Sequence, residues 1–137
     1  MYHRNTTQTI ELDAGSVGTI LSMDTPFPLQ NVGFNGNGIL SIQCSGTYEL
    51  TFFGNFMFSE DTTLTFYINA NGVTLPETVV ILDVEADTQT SFERSVLVRL
   101  CAQTNLVGVV DNAEDGASGT LTIPPNGVHM WVTRIGP

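Results

Sequence analysis

The chain of 137 residues contains no lysine and only four arginines against 14 acidic side chains, which leaves a formal net charge of -10. A protein that neutralises phosphates needs a basic stripe, and Arg4, Arg94, Arg99 and Arg134 are too few and too scattered to make one. Nucleic acid is thereby excluded as a partner, and an anionic membrane surface for the same reason. Charge of either sign is scarce, at 13% of residues, roughly half the usual share. Long apolar runs are missing too: stretches such as Val79 to Leu82 fall far below the roughly 18 residues of a membrane span. The opening Met-Tyr-His-Arg-Asn-Thr-Thr lacks the apolar centre of a signal peptide, so export by the general secretory route is not expected from it.

Residues that carry chemistry are equally sparse. Cys44 and Cys101 match no metal or redox spacing; the first expectation is two buried thiols acting as small hydrophobes, the second a single bridge between them. His3 and His129 cannot complete a metal triad alone, and His129, close to Trp131 on an alternating segment, reads as a surface or interface side chain. Gly116-Ala-Ser-Gly119 is not the Gly-x-Ser-x-Gly elbow, and no loop is built to cradle phosphate. Neither an enzyme nor a cofactor is expected. The acidic stretch around Asp111, Glu114 and Asp115, flanked by Gly116 and Gly119, offers oxygens that suit calcium. Its spacing departs from the twelve-residue calcium loop and lacks the terminal glutamate, so a solvated loop is the plainer reading. Glu60-Asp61 and Asp83, Glu85 and Asp87 read as strand ends facing water, and Asn5-Thr-Thr7 fits a glycosylation sequon.

What the chain does have is a period of two. Hydrophobic residues make up 42% of it and threonine occurs 18 times, a composition suited to strands. From Thr47 onward, Tyr48, Leu50, Phe52, Phe56 and Phe58 fall on one face of a strand, with Glu49, Thr51, Phe53, Asn55 and Met57 on the other. Leu64, Phe66 and Ile68 alternate with Thr65, Tyr67 and Asn69; Val96, Val98 and Leu100 with Leu97, Arg99 and Cys101; Val128, Met130 and Val132 with His129, Trp131 and Thr133. Asn-Gly, a strong sign of tight turns, occurs at 35–36, 37–38, 71–72 and 126–127. No segment has a helical period. Eight to ten short strands in a chain of this length predict one all-β domain, a β-sandwich or jelly roll over residues 8–137, preceded by an arm at 1–7.

One strand is apolar on both faces. Phe53 and Met57 oppose Phe52, Phe56 and Phe58, yet in a two-sheet sandwich only one side of each sheet meets the core. A neighbouring subunit is the economical cover for the second side.

The succession Thr25-Pro-Phe-Pro-Leu-Gln-Asn-Val-Gly-Phe34, a short strand at Ile39 to Cys44, Ser45-Gly-Thr-Tyr-Glu-Leu-Thr-Phe52, Leu64-Thr-Phe-Tyr-Ile-Asn-Ala-Asn-Gly-Val73 and Ser95-Val-Leu-Val-Arg-Leu100 resembles the C-terminal domain of bacterial collagen-like surface glycoproteins, the BclA-type proteins of the spore exosporium. The resemblance covers roughly residues 8 to 136. It implies a complement-1q/TNF-like jelly roll of about ten strands, a tight homotrimer, and a place at the globular tip of a spore-surface or cell-surface filament, where the trimer registers a collagen stalk and serves adhesion. The chain departs from that pattern in having no Gly-X-Y repeat. On this reading Phe53, Met57, Tyr67 and Trp131 are the expected contacts between subunits, and Phe52, Phe56, Phe66 and Val98 the core. The partners expected are further copies of the chain and a host or surface glycan or protein receptor. The alternative is a carbohydrate- or receptor-binding tip of a phage or viral fibre.

Overall fold

A computed structural model of the chain describes residues 2–4, 6–23, 25–26, 32–34 and 39–137. Asn5 of the sequon, the Asn-Gly pairs at 35–36 and 37–38, and residues 27–31 of the quoted resemblance lie outside the described residues. The strands run as β1 (Tyr2–His3), β2 (Gln8–Leu12), β3 (Thr19–Ile20), β4 (Thr25–Pro26), β5 (Val32–Phe34), β6 (Leu40–Ile42), β7 (Gly46–Phe58), β8 (Thr62–Ala70), β9 (Val73–Thr74), β10 (Val80–Val84), β11 (Thr90–Leu100), β12 (Asn105–Asn112), β13 (Gly119–Ile123) and β14 (Val128–Gly136), with a 3-10 turn at Pro76–Thr78. Four of these fourteen are two residues long, which accounts for the excess over the ten or so expected.

They form two sheets. In the first the order is β2-β13-β7-β14-β1-β4, with β11 also paired to β7; in the second it is β10-β8-β12-β6-β5, with β3 on β12 and β9 on β8. Tyr2 and His3, read from sequence as part of an arm, therefore contribute a short strand that pairs with both β14 and β4. The long β7 organises the first sheet through antiparallel ladders to β11 and β14. Its alternation buries every second residue, Gly46 to Phe58, and leaves the intervening ones partly or fully exposed.

The two inward faces meet in an apolar core. Tyr48, Leu50, Phe52, Phe56 and Phe58 from β7 pack with Leu64, Phe66 and Ile68 from β8 and with Leu106, Val110, Leu121, Val128 and Met130. Phe52, Phe56 and Phe66 are fully buried, and Val98, half-buried, packs against the edge of this core. Phe92 joins them: its ring lies edge-on to Phe52 at 5.2 Å and against Phe66 at 4.7 Å. Phe92 faces Gly54 across the β7/β11 ladder, and a Cβ on Gly54 would collide with that ring. The glycine is the gap the aromatic fills. The Asn-Gly signal at 71–72 is a two-residue hairpin turn between β8 and β9, with φ of 51° and 80°, as a type I′ turn requires.

A candidate assembly face on the first sheet

The residues of β7 that point away from the core align with their neighbours in cross-strand rows. Thr51 stands between Trp131 of β14 and Ser95 of β11, and its hydroxyl shares a 2.7 Å hydrogen bond with that of Ser95. One row along, Phe53 stands between His129 and Glu93, and His129 in turn opposes His3 of β1. The Phe53 and His129 rings stack at 4.5 Å with 11° between their planes. On the other side of Thr51, Glu49 stands between Thr133 and Leu97.

This outer face is apolar where water should reach it. Met57, Trp131 and Leu97 are 39%, 47% and 63% exposed, and Phe53 is half-buried beside them; Ile135, 53% exposed, falls in the irregularity of β14 between Arg134 and Gly136. Charge is sparse on this face: among the outward positions of β7, β11 and β14 the carboxylates are Glu49 and Glu93 and the guanidinium is Arg99, and Glu11, opposite the outward Thr120 of β13, adds a third carboxylate on β2.

Three of the four residues expected at subunit contacts, Phe53, Met57 and Trp131, share this face, and Tyr67 does not. Tyr67 belongs to β8 in the second sheet, where it is 9% exposed. Its hydroxyl donates to Asp111 Oδ1 at 2.8 Å, and the same oxygen accepts the Gly18 N–H at 2.8 Å. Burial first, and then the bond to Asp111, together push the Tyr67 phenol up to about 12. Leu97 and Ile135 were not singled out in the sequence; the signal available was Leu97 standing between the inward Val96 and Val98.

The calcium candidates are not brought together. Asp111 lies within β12, its carboxylate turned to Tyr67 and Gly18, while Glu114 packs beside Gly15. Asp115 instead lines a shallow hollow of about 410 Å³ with Asp61, Asp83 and Glu85. There Asp61 accepts the Ala86 N–H and Asp83 the Thr63 hydroxyl, both at 2.7 Å. Among the described residues no group of three or more His, Cys, Asp or Glu is placed to hold a metal ion. The expectation of buried thiols is also corrected: Cys44 and Cys101 are both exposed. They lie just past the end of the β7/β11 ladder, whose last pair is Gly46 with Leu100, and a position beyond the final inward pair has no second sheet above it. The adjoining Tyr48 hydroxyl donates to the Cys44 carbonyl at 2.6 Å. Burial raises this phenol, and the nearby Arg134 partly offsets the rise.

Two facing antiparallel sheets, connections that cross from one to the other and a core of alternating aromatics define the architecture as a TNF-like jelly-roll β-sandwich. The structure of Eiger TNF from S. frugiperda superposes with a TM-score of 0.67 at 15% identity, over 98% of this chain and 90% of that one. Murine APRIL superposes with TM-scores of 0.60 in its pH 5.0 structure and 0.58 at pH 8.0, at 12% and 13% identity, over 95% of this chain and all of that one. At such identities the likeness is one of fold. No protein-family model matches the sequence, and no curated protein matches it.

Proposed function

We propose that the chain is a non-enzymatic assembly module, a homotrimeric jelly-roll head at the tip of a filament on a spore or cell surface. The observation that carries the trimer is the outer face of the first sheet, where Phe53, Met57, Leu97 and Trp131 stand among few charges. A second and third copy are the fitting cover. Several bulky apolar side chains around a central Trp also match the composition of interface cores. The TNF-like fold and the resemblance of residues 8–136 to BclA-type heads support the same arrangement, and that resemblance supports surface display. A structural role fits the two phenols whose proton affinity is raised, since both serve as donors in bonds that hold loops and strands together.

Light scattering on the purified chain tests the assembly. The expected mass is about 44 kDa, three times 14.8 kDa; a clean monomer at micromolar concentration ends this reading. Immunolabelling of intact spores and cells tests the location, with label confined to the interior or to phage particles as the contrary result.

A further inference from the structure

Both cysteines of the chain sit where two crossovers run side by side. The connection from β6 to β7 carries the chain from the second sheet to the first, and the one from β11 to β12 carries it back. On one side of the cysteines the two segments are joined by the last pair of the β7/β11 ladder, Gly46 with Leu100. On the other side the Gln103 N–H donates to the Ile42 carbonyl at 2.6 Å, and the Ile42 N–H to the Thr104 carbonyl at 2.8 Å. Between these anchors the Ala102 N–H donates to Ser45 Oγ at 2.8 Å. We propose that Cys44 and Cys101 form a redox-switched disulfide that ties the two crossovers together; the inference does not depend on the trimer reading.

Continuing the ladder by one step sets Cys101 opposite Ser45, with Cys44 one residue further along. A cross-strand spacing of about 5.5 Å and an offset of about 3.4 Å put the two α-carbons about 6.5 Å apart, inside the roughly 4.4–6.8 Å that a disulfide spans. The alternation that turns neighbouring strand positions to opposite faces has ended here: Cys44 lies in a bend, and Cys101 opens a turn closed by the Thr104 N–H on the Cys101 carbonyl at 3.3 Å. Both side chains are exposed, so a small disulfide such as oxidised glutathione reaches them. One cysteine thiolate attacks a glutathione sulfur, forming a mixed disulfide and expelling one glutathione thiolate; the second cysteine thiolate attacks the protein-side sulfur and expels the other. Two protein thiols are thereby oxidised, the glutathione disulfide is reduced to two thiols, and the two protons lost by the cysteines pass to the released thiolates. The bridge closes a loop of 58 residues, from 44 to 101 inclusive. By restricting the unfolded chain, a loop of that length shifts the unfolding equilibrium about a thousandfold toward the fold.

The test equilibrates the purified chain with reduced or with oxidised glutathione and reads thiol titration, intact mass, peptide mapping and urea unfolding. The expected result is two titratable thiols in the reduced chain and none in the oxidised one, a mass lower by two hydrogens, a peptide cross-linked between Cys44 and Cys101, and a urea midpoint raised by that thousandfold shift. Cys44→Ser and Cys101→Ser change exposed side chains, so the fold is expected to persist, and each variant stops at a mixed disulfide with one glutathione. Two glutathione adducts on one chain, or chains cross-linked to each other on a non-reducing gel, overturn the pairing. A bridge that leaves the urea midpoint unchanged or lowers it also overturns the proposal, because the native crossovers then do not hold the two sulfurs at bridging distance.

Discussion

Trp131→Ala separates the first sheet's outer face from the rest of the surface. Trp131 is 47% exposed, and for an aromatic of this size roughly 100 Å² therefore remains to be covered by a neighbour. At about 25 cal/mol per Å² that burial contributes about 2.5 kcal/mol per subunit. Three subunits lose about 7.5 kcal/mol together, or about five orders of magnitude in the trimer dissociation constant. Truncation leaves the inward side of β14 untouched, so the circular dichroism spectrum and monomer fold are expected to persist. The matched control is Ile81→Ala: Ile81 is 66% exposed but sits on β10, at the edge of the second sheet. Light scattering across a dilution series reads both variants. If Trp131→Ala stays trimeric wherever the unmodified chain does, or if Ile81→Ala dissociates as readily, the apolar side of the first sheet is not what joins the subunits.

Three further outcomes follow from the interior. Tyr67 carries a phenol pushed up to about 12; its bond stabilises the fold fully below the ordinary tyrosine value of about 10, and that contribution is lost as pH rises through the folded value. Tyr48 is raised as well, so ultraviolet titration should show the late-ionising component lose one tyrosine in Tyr67→Phe, and an unchanged curve would contradict the assignment. Gly54→Ala forces a methyl group into the Phe92 ring, which Phe52 and Phe66 hold in place; overpacking of this kind costs about 1–3 kcal/mol. Urea unfolding should show that loss and its partial recovery in Gly54→Ala/Phe92→Leu. Asn112 is 2% exposed, donates to the carbonyls of Leu12, Asp13 and Ala117, and accepts the Thr62 hydroxyl. Asn112→Asp keeps the shape but removes the donors, and a loss above about 2 kcal/mol is expected from the unsatisfied carbonyls; a variant as stable as the parent would show that this hub is dispensable.

The legible part of the fold was the part with a local cause. A period of two in 47–58 sorted Phe52 from Phe53 correctly because a strand in a sandwich offers its side chains only two environments, and the register then carried His129 and Trp131 to the same side as Phe53. Tyr67 shows where that logic stops. Alternation placed it outward on β8, which is correct, but the partners that hold it are Asp111 and Gly18, dozens of residues away in each direction, and no local pattern records them. Asp111 was read as a loop residue because glycines and acids crowd the segment, yet the ladder to β8 extends as far as Asn112 paired with Leu64. Phe92 went unremarked for a related reason: its strand was recognised from Val96 onward, and only the pairing reveals that Gly54, an interruption in a run of aromatics, has an aromatic opposite it.

The scarcity of positive charge acquires a structural account here. Arg94, Arg99 and Arg134 donate to the main-chain carbonyls of Glu77, Pro137 and Ser45, which spends the guanidinium donors on fixing the chain rather than on the carboxylates. The acids are left to repel one another, and a trimer would carry three times -10, or -30. Such an assembly is opposed by long-range electrostatics and held by apolar contact. Added salt should consequently strengthen it: raising ionic strength from about 0.1 M to about 1 M shortens the screening length from about 10 Å to about 3 Å, which removes repulsion between subunits and leaves the burial of Trp131, Leu97 and Met57 intact. An interface built on ion pairs responds in the opposite sense. Dilution series at the two salt concentrations distinguish them, and a trimer that falls apart in high salt would mean that Glu49, Glu93 and Arg99 pair across subunits and that the apolar residues around them are secondary.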